Sequence, residues 1–281
     1  MAGGVLNVGL IPGHALSKIW TTLSQTQKDE VIKKLAEFNV TLIKASSFKK
    51  IGSIFAIDGA FSVGPLVPSC FPWFFRKDPS LDSGPWASER EYLLACVTRE
   101  LIWISNHPEE LAARWAPGAT GQAEKDAVVK GYTTLLQRLQ AEIPKLEALD
   151  NSFGELNSFV LRHPDLSSDN IILREDDPTV IAGIIDWECS FAAPIWVVTT
   201  VPEFIRDFGD AWEGDPSIPA SSTRLREIYV KTCSDALPIG FEEARKVAKK
   251  LCVLEQVVRI VTTMCPVETI EENIKFIFDE T

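Results

Sequence analysis

Residues Ser158 to Phe191 read SFVLRHPDLSSDNIILREDDPTVIAGIIDWECSF, three short apolar runs separated by polar residues at fixed offsets. Phe159-Val160-Leu161, Ile171-Ile172-Leu173 and Val180 to Ile185 are rich in β-branched or aromatic side chains, which marks them as strands. Between the second and third runs, Glu175-Asp176-Asp177-Pro178-Thr179 has the acidic and proline chemistry of a tight connection, so these two strands pair as a hairpin. The loop between the first and second runs carries His163, Asp165 and Asn170, and Asp186 stands where the third run ends. Polar side chains on loops at the ends of short buried strands are placed for chemistry.

The spacing carries more information than the residue types. His163-x-Asp165 followed by Asn170 is H-x-D-x-x-x-x-N, a catalytic-loop pattern in which the Asp accepts the proton of an attacking hydroxyl and the Asn holds magnesium. Asp186 would be a second metal ligand, in the role of the DFG Asp of protein kinases. Magnesium takes few protein oxygens and lets phosphates and water complete its shell, so one Asn and one Asp suffice. Average residue usage puts this pattern by chance in roughly one chain in a hundred of this length.

At these residues the chain resembles the aminoglycoside phosphotransferase-like family of small-molecule kinases, particularly its fungal members. HPDLSSDNIIL is similar to that family's catalytic loop and IIDWE to its metal-binding strand end. The resemblance implies an α+β, protein-kinase-like C-terminal lobe, mainly helical, with short β-hairpins carrying the catalytic loop. It implies transfer of a phosphoryl group from ATP, or another nucleoside triphosphate, with Mg2+, to a hydroxyl of a small acceptor. Asp165 becomes the base, His163 the residue that props the loop, and Asn170 and Asp186 the magnesium and cofactor ligands. Pro164 stands where the family often has Gly or Arg, and it would fix φ there and stiffen the loop.

Each residue alone has a plainer reading. Asp165 and Asp186 singly are ordinary turn or cap residues, and a lone His after a strand is more often a hydrogen-bonded structural group. The set, not any member, points to the site. Asp169 reads as solvated; Trp187 and Glu188 could line the site, but a Trp after a buried strand is more often packing, and neither is assigned a role.

A chain of 281 residues can bury a full core. Its formal charge of −11 argues against nucleic acid as a partner, since such proteins carry basic stripes. The same charge is compatible with a cationic acceptor. No apolar run is long enough to span a bilayer, and the N-terminus lacks a basic segment followed by an apolar one. Cys70, Cys96, Cys189, Cys233, Cys252 and Cys265 form no C-x-x-C pair, which reads as reduced, mostly buried thiols in a cytoplasmic protein. The oligomeric state is open.

Taken in order, GGVLNVGLIPGHALSKIW reads as a strand, a turn at Pro12-Gly13 and a helix entering at Ala15; it resembles the hinge of the kinase family. His14 reads as a plain turn residue. Ser24 and Gln27 form a capping box opening a helix with Val31, Ile32, Leu35, Phe38, Leu42 and Ile43 on one face. Ile51 to Leu81 reads as an irregular hairpin and an aromatic loop (Phe71-Pro72-Trp73-Phe74-Phe75) packed on the helical lobe. Ser88 and Glu91 make a second capping box, starting a helix to about Asn106. Pro108, Pro117 and Gly118 break the chain, with His107 exposed and unpartnered. A helix from about Ala123 to Leu149 is kinked or bounded by Pro144. Ala192 to Pro219 reads as loop, with Glu203, Asp207, Asp210, Glu213 and Asp215 an acidic, solvated face. In resembling enzymes this region lines the acceptor pocket. Helices of about Thr223 to Cys233, Phe241 to Thr263 and Glu268 to Asp279 close the chain, the middle one burying Ala244, Val247, Leu251, Leu254, Val257, Val258 and Val261.

There is no G-x-G-x-x-G, no G-x-x-x-x-G-K-[ST] and no V-A-I-K-like lysine ahead of the hinge. Residues 1–281 are therefore expected to form one domain, with 1–14 a hinge-like segment and 15–281 a helical C-terminal lobe, lacking most of the N-terminal lobe. Phosphoryl transfer is catalysed by positioning and charge stabilisation, so loss of those clamps predicts weak ATP binding, impaired transfer and an uncovered apolar patch near Val5 to Ile11. Two function classes follow: a small-molecule kinase, or a non-catalytic pseudokinase-like binding or scaffolding module.

Overall fold

The computed structural model describes residues 10–57, 59–67, 81–149, 159–205, 220–237, 240–264 and 266–278. The aromatic cluster Phe71 to Phe75, Cys70, Cys265, Asp207, Asp210, Glu213, Asp215 and most of Val5 to Ile11 lie outside the described residues.

Among the described residues, β1 (His14–Ala15) leads into α1 (Leu16–Ile19) and α2 (Gln25–Ala45). The hairpin β2 (Gly52–Ile57) and β3 (Ala60–Gly64) precedes α3 (Glu89–Asn106), α4 (Pro108–Trp115) and α5 (Gln122–Glu142). Then come β4 (Val160–Arg162), β5 (Ile171–Leu173), β6 (Ile181–Ile184), β7 (Phe191–Ala193) and α6 (Ile195–Val198). The chain closes with α7 (Ala220–Ala236), α8 (Gly240–Met264) and α9 (Val267–Phe278).

The helix starts follow their capping chemistry. Ahead of α2, the Gln27 N–H donates to Ser24 Oγ at 3.3 Å while the Ser24 N–H donates to Gln27 Oε1 at 2.9 Å, a reciprocal box. At α3 the Glu91 N–H donates to Ser88 Oγ at 3.2 Å, but the Glu91 carboxylate takes the N–H of Ala87 instead of Ser88. Pro108 opens a helix where a break was expected, because Pro at the first helical position lacks only an N–H that would be unpaired anyway. His107 is correspondingly not unpartnered: its Nδ1 lies 2.9 Å from Glu110 Oε1 and its ring stacks on Trp103. The long helix expected to reach Leu149 ends at Glu142, just ahead of Pro144, and continues as short 3-10 turns.

The chain divides into two compact units. One comprises Met1–Lys44, His163–Glu188 and Val201–Leu237. Its sheet runs β1-β5-β6, with His14 opposite Leu173 and Ala15 opposite Ile172, so His14 is a strand residue and not a free turn. The β5–β6 hairpin is antiparallel as expected, Ile171 facing Ile184, with an irregularity at Ile172/Leu173. Its connection is an Asp-based turn: Asp177 Oδ1 accepts from the Thr179 N–H and hydroxyl, and these bonds hold its carboxyl below the usual range. Here α2 buries Val31, Ile32, Leu35 and Ile43, and the Cys233 thiol of α7 points at the Ala36 carbonyl. Arg224 of α7 bonds Asp29 of α2 and holds that carboxyl low.

The other unit comprises Ala45–Arg162, Cys189–Thr200 and Pro238–Thr281. Its four-stranded antiparallel sheet has the order β3-β2-β7-β4, so the region read as loop after Ala192 contains a central strand and a short helix. Helices α3, α5, α8 and α9 pack together, with α4 on α5 and α6 on α8. Tyr92, Tyr132, Trp196 and Phe241 are fully buried among them, each worth a few kcal/mol of burial. The α8 stripe is not purely apolar: Glu255, 3% exposed, accepts from the Tyr92 hydroxyl at 2.8 Å and from Arg162 at 3.2 Å.

Candidate active site

His163, Asp165, Asn170 and Asp186 all lie in the unit that holds the β1-β5-β6 sheet. The loop that carries the first three leaves β4 and enters β5, and Asp186 follows β6 by two residues. Because β5 and β6 are paired, the loop before one and the residues after the other meet at the same end of the hairpin. The Ile185 N–H donates to the Asn170 carbonyl at 2.9 Å, which fixes that meeting.

His163 is 9% exposed and uses both ring nitrogens. Nδ1 accepts the Asp165 N–H at 3.2 Å, so the proton sits on Nε2, which donates to the Ile185 carbonyl at 2.8 Å. The ring thus ties the loop's Asp to the residue before Asp186. Trp187 packs edge-on against it, centroids 4.7 Å apart, and donates its indole N–H to the Ile184 carbonyl, a structural role as its sequence position suggested.

Asn170 is 8% exposed. Its Nδ2 donates to the Asp165 carbonyl at 2.8 Å and to Asp165 Oδ2 at 3.2 Å. Those two bonds fix which way the amide faces and leave Oδ1 as an acceptor without a hydrogen bond among the described residues. Asp165 and Asp186 are exposed, and the Asp186 carboxylate has no ion pair or hydrogen bond among the described residues. Asp186 also holds φ at +65°, a left-handed conformation that costs a non-glycine residue about 1–2 kcal/mol. Strain of this kind collects where a side chain must be aimed. An amide oxygen and an unpaired carboxylate are hard oxygen donors, the type magnesium prefers. Among the described residues no cluster of three or more His, Cys, Asp or Glu forms a metal site.

One contact had no signal in the sequence. Asp169, which reads as solvated, accepts from Ser17 Oγ at 2.5 Å, and the Ser17 N–H donates to the Ser168 carbonyl at 3.0 Å.

The sequence pattern of the phosphotransferase enzyme family matches residues 8–212, nearly three quarters of the chain, and takes in this whole constellation. The chain belongs to that family. As a member of the phosphotransferase family it has the aminoglycoside phosphotransferase-like character that HPDLSSDNIIL and IIDWE indicate. The kinase-like fold of the family agrees with the α+β architecture of mainly helices and small antiparallel sheets. Comparison with the curated proteins and with the solved structures gives no significant match. Among the described residues no helix is long and apolar enough to cross a membrane.

Proposed function

We propose that this chain transfers the γ-phosphoryl group of a magnesium-bound nucleoside triphosphate, ATP in the first instance, to a hydroxyl of a small-molecule acceptor. Asp165 takes the proton of that hydroxyl as its oxygen bonds to the γ-phosphorus; the bond to the β-phosphate oxygen breaks and the nucleoside diphosphate leaves. Asp165 Oδ2 receives the Asn170 amide while Oδ1 has no partner among the described residues, which suits it to the incoming proton. His163 acts on the loop and not on substrate, since both ring nitrogens are engaged. Asn170 Oδ1 and the Asp186 carboxylate would hold magnesium, which supplies neutralisation of the charge developing on the phosphates.

The observation that carries this reading is the Asn170 amide, whose donor side is spent on Asp165 so that its acceptor side is left for a cation. The net charge of −11 favours a cationic acceptor over an anionic one. Among the described residues Cys96, Cys189, Cys233 and Cys252 stand outside any disulfide, which suits a reducing cytoplasm.

Nucleotide binding by the purified chain, measured with and without magnesium, tests the reading together with phosphate release to a panel of hydroxyl acceptors. Magnesium-dependent ATP binding with transfer supports it. Binding without any transfer would make the chain a pseudokinase-like module, and no magnesium-dependent binding would sink the site assignment.

A further inference from the structure

We propose that Ser17 and Asp169 form a latch that positions the candidate magnesium ligand Asn170, an inference that rests on the phosphotransferase reading above. Ser17 Oγ donates to Asp169 Oδ1 at 2.5 Å across 152 positions of sequence, and the Ser17 N–H donates to the Ser168 carbonyl at 3.0 Å. A short hydroxyl-to-carboxylate bond is of the stronger, charge-assisted kind. On the other side of Asn170, Ala15 and His14 pair with Ile172 and Leu173. The segment 14–17 therefore grips the chain immediately before and shortly after Asn170, and leaves Asn170 between two fixed points. Gly13 makes the approach possible: a Cβ there would stand 2.1 Å from the Leu173 carbonyl oxygen.

Neither partner of the latch belongs to a packed core. Ser17 is half-buried and Asp169 exposed, so a bond made for stability alone contributes little at such a place. What the bond does is hold the loop at the residue next to Asn170. Asn170 spends its Nδ2 on Asp165, so a shift of the loop at residue 169 moves both Oδ1 and the Asp165 carboxylate. Asp169 is a positioning residue on this account, acting through Asn170 and touching neither nucleotide nor acceptor.

The test is a magnesium titration of ATP binding, with thermal unfolding measured alongside, on wild type, Ser17→Ala, Ser17→Thr, Asp169→Ala, Asp169→Asn and the double alanine variant. Loss of a hydrogen bond to a charged group predicts that Ser17→Ala and Asp169→Ala each raise the magnesium concentration for half-maximal binding about fivefold or more. The double variant should be no worse than either single one, because the two side chains act as one unit. Ser17→Thr keeps the donor and should stay close to wild type, while Asp169→Asn keeps an acceptor without its charge and should fall between wild type and Asp169→Ala. Ser17→Ala, at a half-buried surface position, carries the test if Asp169→Ala does not fold. Lowered unfolding temperatures with an unchanged magnesium midpoint would overturn the latch alone. Wild-type binding that ignores magnesium would overturn it together with the phosphotransferase reading.

Discussion

Glu89 should make the stability of this chain fall as pH rises, by an amount the structure sets. It is the first residue of α3, half-buried, and burial pushes its carboxyl up from the ordinary 4.5 to about 7. The Trp196 indole beside it pulls the other way but does not prevail; that nitrogen is buried and makes no well-aligned hydrogen bond. Between these two pH values the folded state holds a proton at Glu89 that the unfolded chain has released, so raising the pH favours unfolding. The contribution is full below about 4.5 and is lost progressively up to about 7. At about 1.4 kcal/mol for each tenfold difference in proton affinity, the loss amounts to at most about 3.5 kcal/mol.

Glu89→Gln removes the titration and keeps the shape. Urea unfolding of both proteins at pH 5, 6, 7 and 8 should show Glu89→Gln gaining on wild type by up to about 1.4 kcal/mol per pH unit as far as pH 7, with the difference constant above that. Taking the difference cancels every other titrating group. A difference that stays constant within about 0.5 kcal/mol from pH 5 to 8 would refute the argument, and would mean that water or movement of α3 solvates the carboxylate in the fold.

Asp165→Asn should spare magnesium-dependent ATP binding and remove phosphoryl transfer, whereas Asp186→Asn should weaken the binding itself; equal binding defects, seen by calorimetry, would contradict the division of roles. Glu255→Ala should cost about 3–5 kcal/mol in urea unfolding, because it strips a buried acceptor from Tyr92 and Arg162. Gly13→Ala should cost about 2 kcal/mol or more, since φ is +147° and the new methyl would meet the Leu173 carbonyl; an unchanged unfolding midpoint would mean that β1 can shift off β5 freely.

What could be read in the sequence was what local chemistry decides. The Ser24–Gln27 box and the acidic turn between β5 and β6 each lie within a few residues, and each forms as its side chains suggest. The misreadings share another cause. Phe191–Ala193 is a strand buried at all three positions, so it shows no alternation, and only its neighbours β2 and β4 make it one. Pro108 breaks a helix only in its interior, and here it stands at a helix start, where its missing N–H costs nothing. His14 looks like a plain turn residue until β5, far away in sequence, pairs with it, and Asp169, exposed as it reads, shows no sign in the sequence of the bond that Ser17 brings to it.

The same distinction explains the spacing of the motif itself. His163 reaches the Asp165 N–H two residues ahead, and Asn170 reaches the Asp165 carbonyl and carboxylate five residues back, so both local bonds depend on residue count and not on the side chains at 166–168. The Asn170 N–H also donates to the Ser167 carbonyl, and further bonds run from His163 and Asn170 to the backbone of Ile185, which any residue but proline supplies there. The neutral imidazole offers both an acceptor for one backbone N–H and a donor for one carbonyl, and the Asn170 amide gives a donor side to Asp165 while its oxygen stays outside those bonds. Asp165 and Ile185, the residue before Asp186, are thereby tied into one hydrogen-bonded frame. The left-handed backbone at Asp186 is the strain that frame holds in place, and it is offset by the bonds that Ile185 makes on both its N–H and its carbonyl.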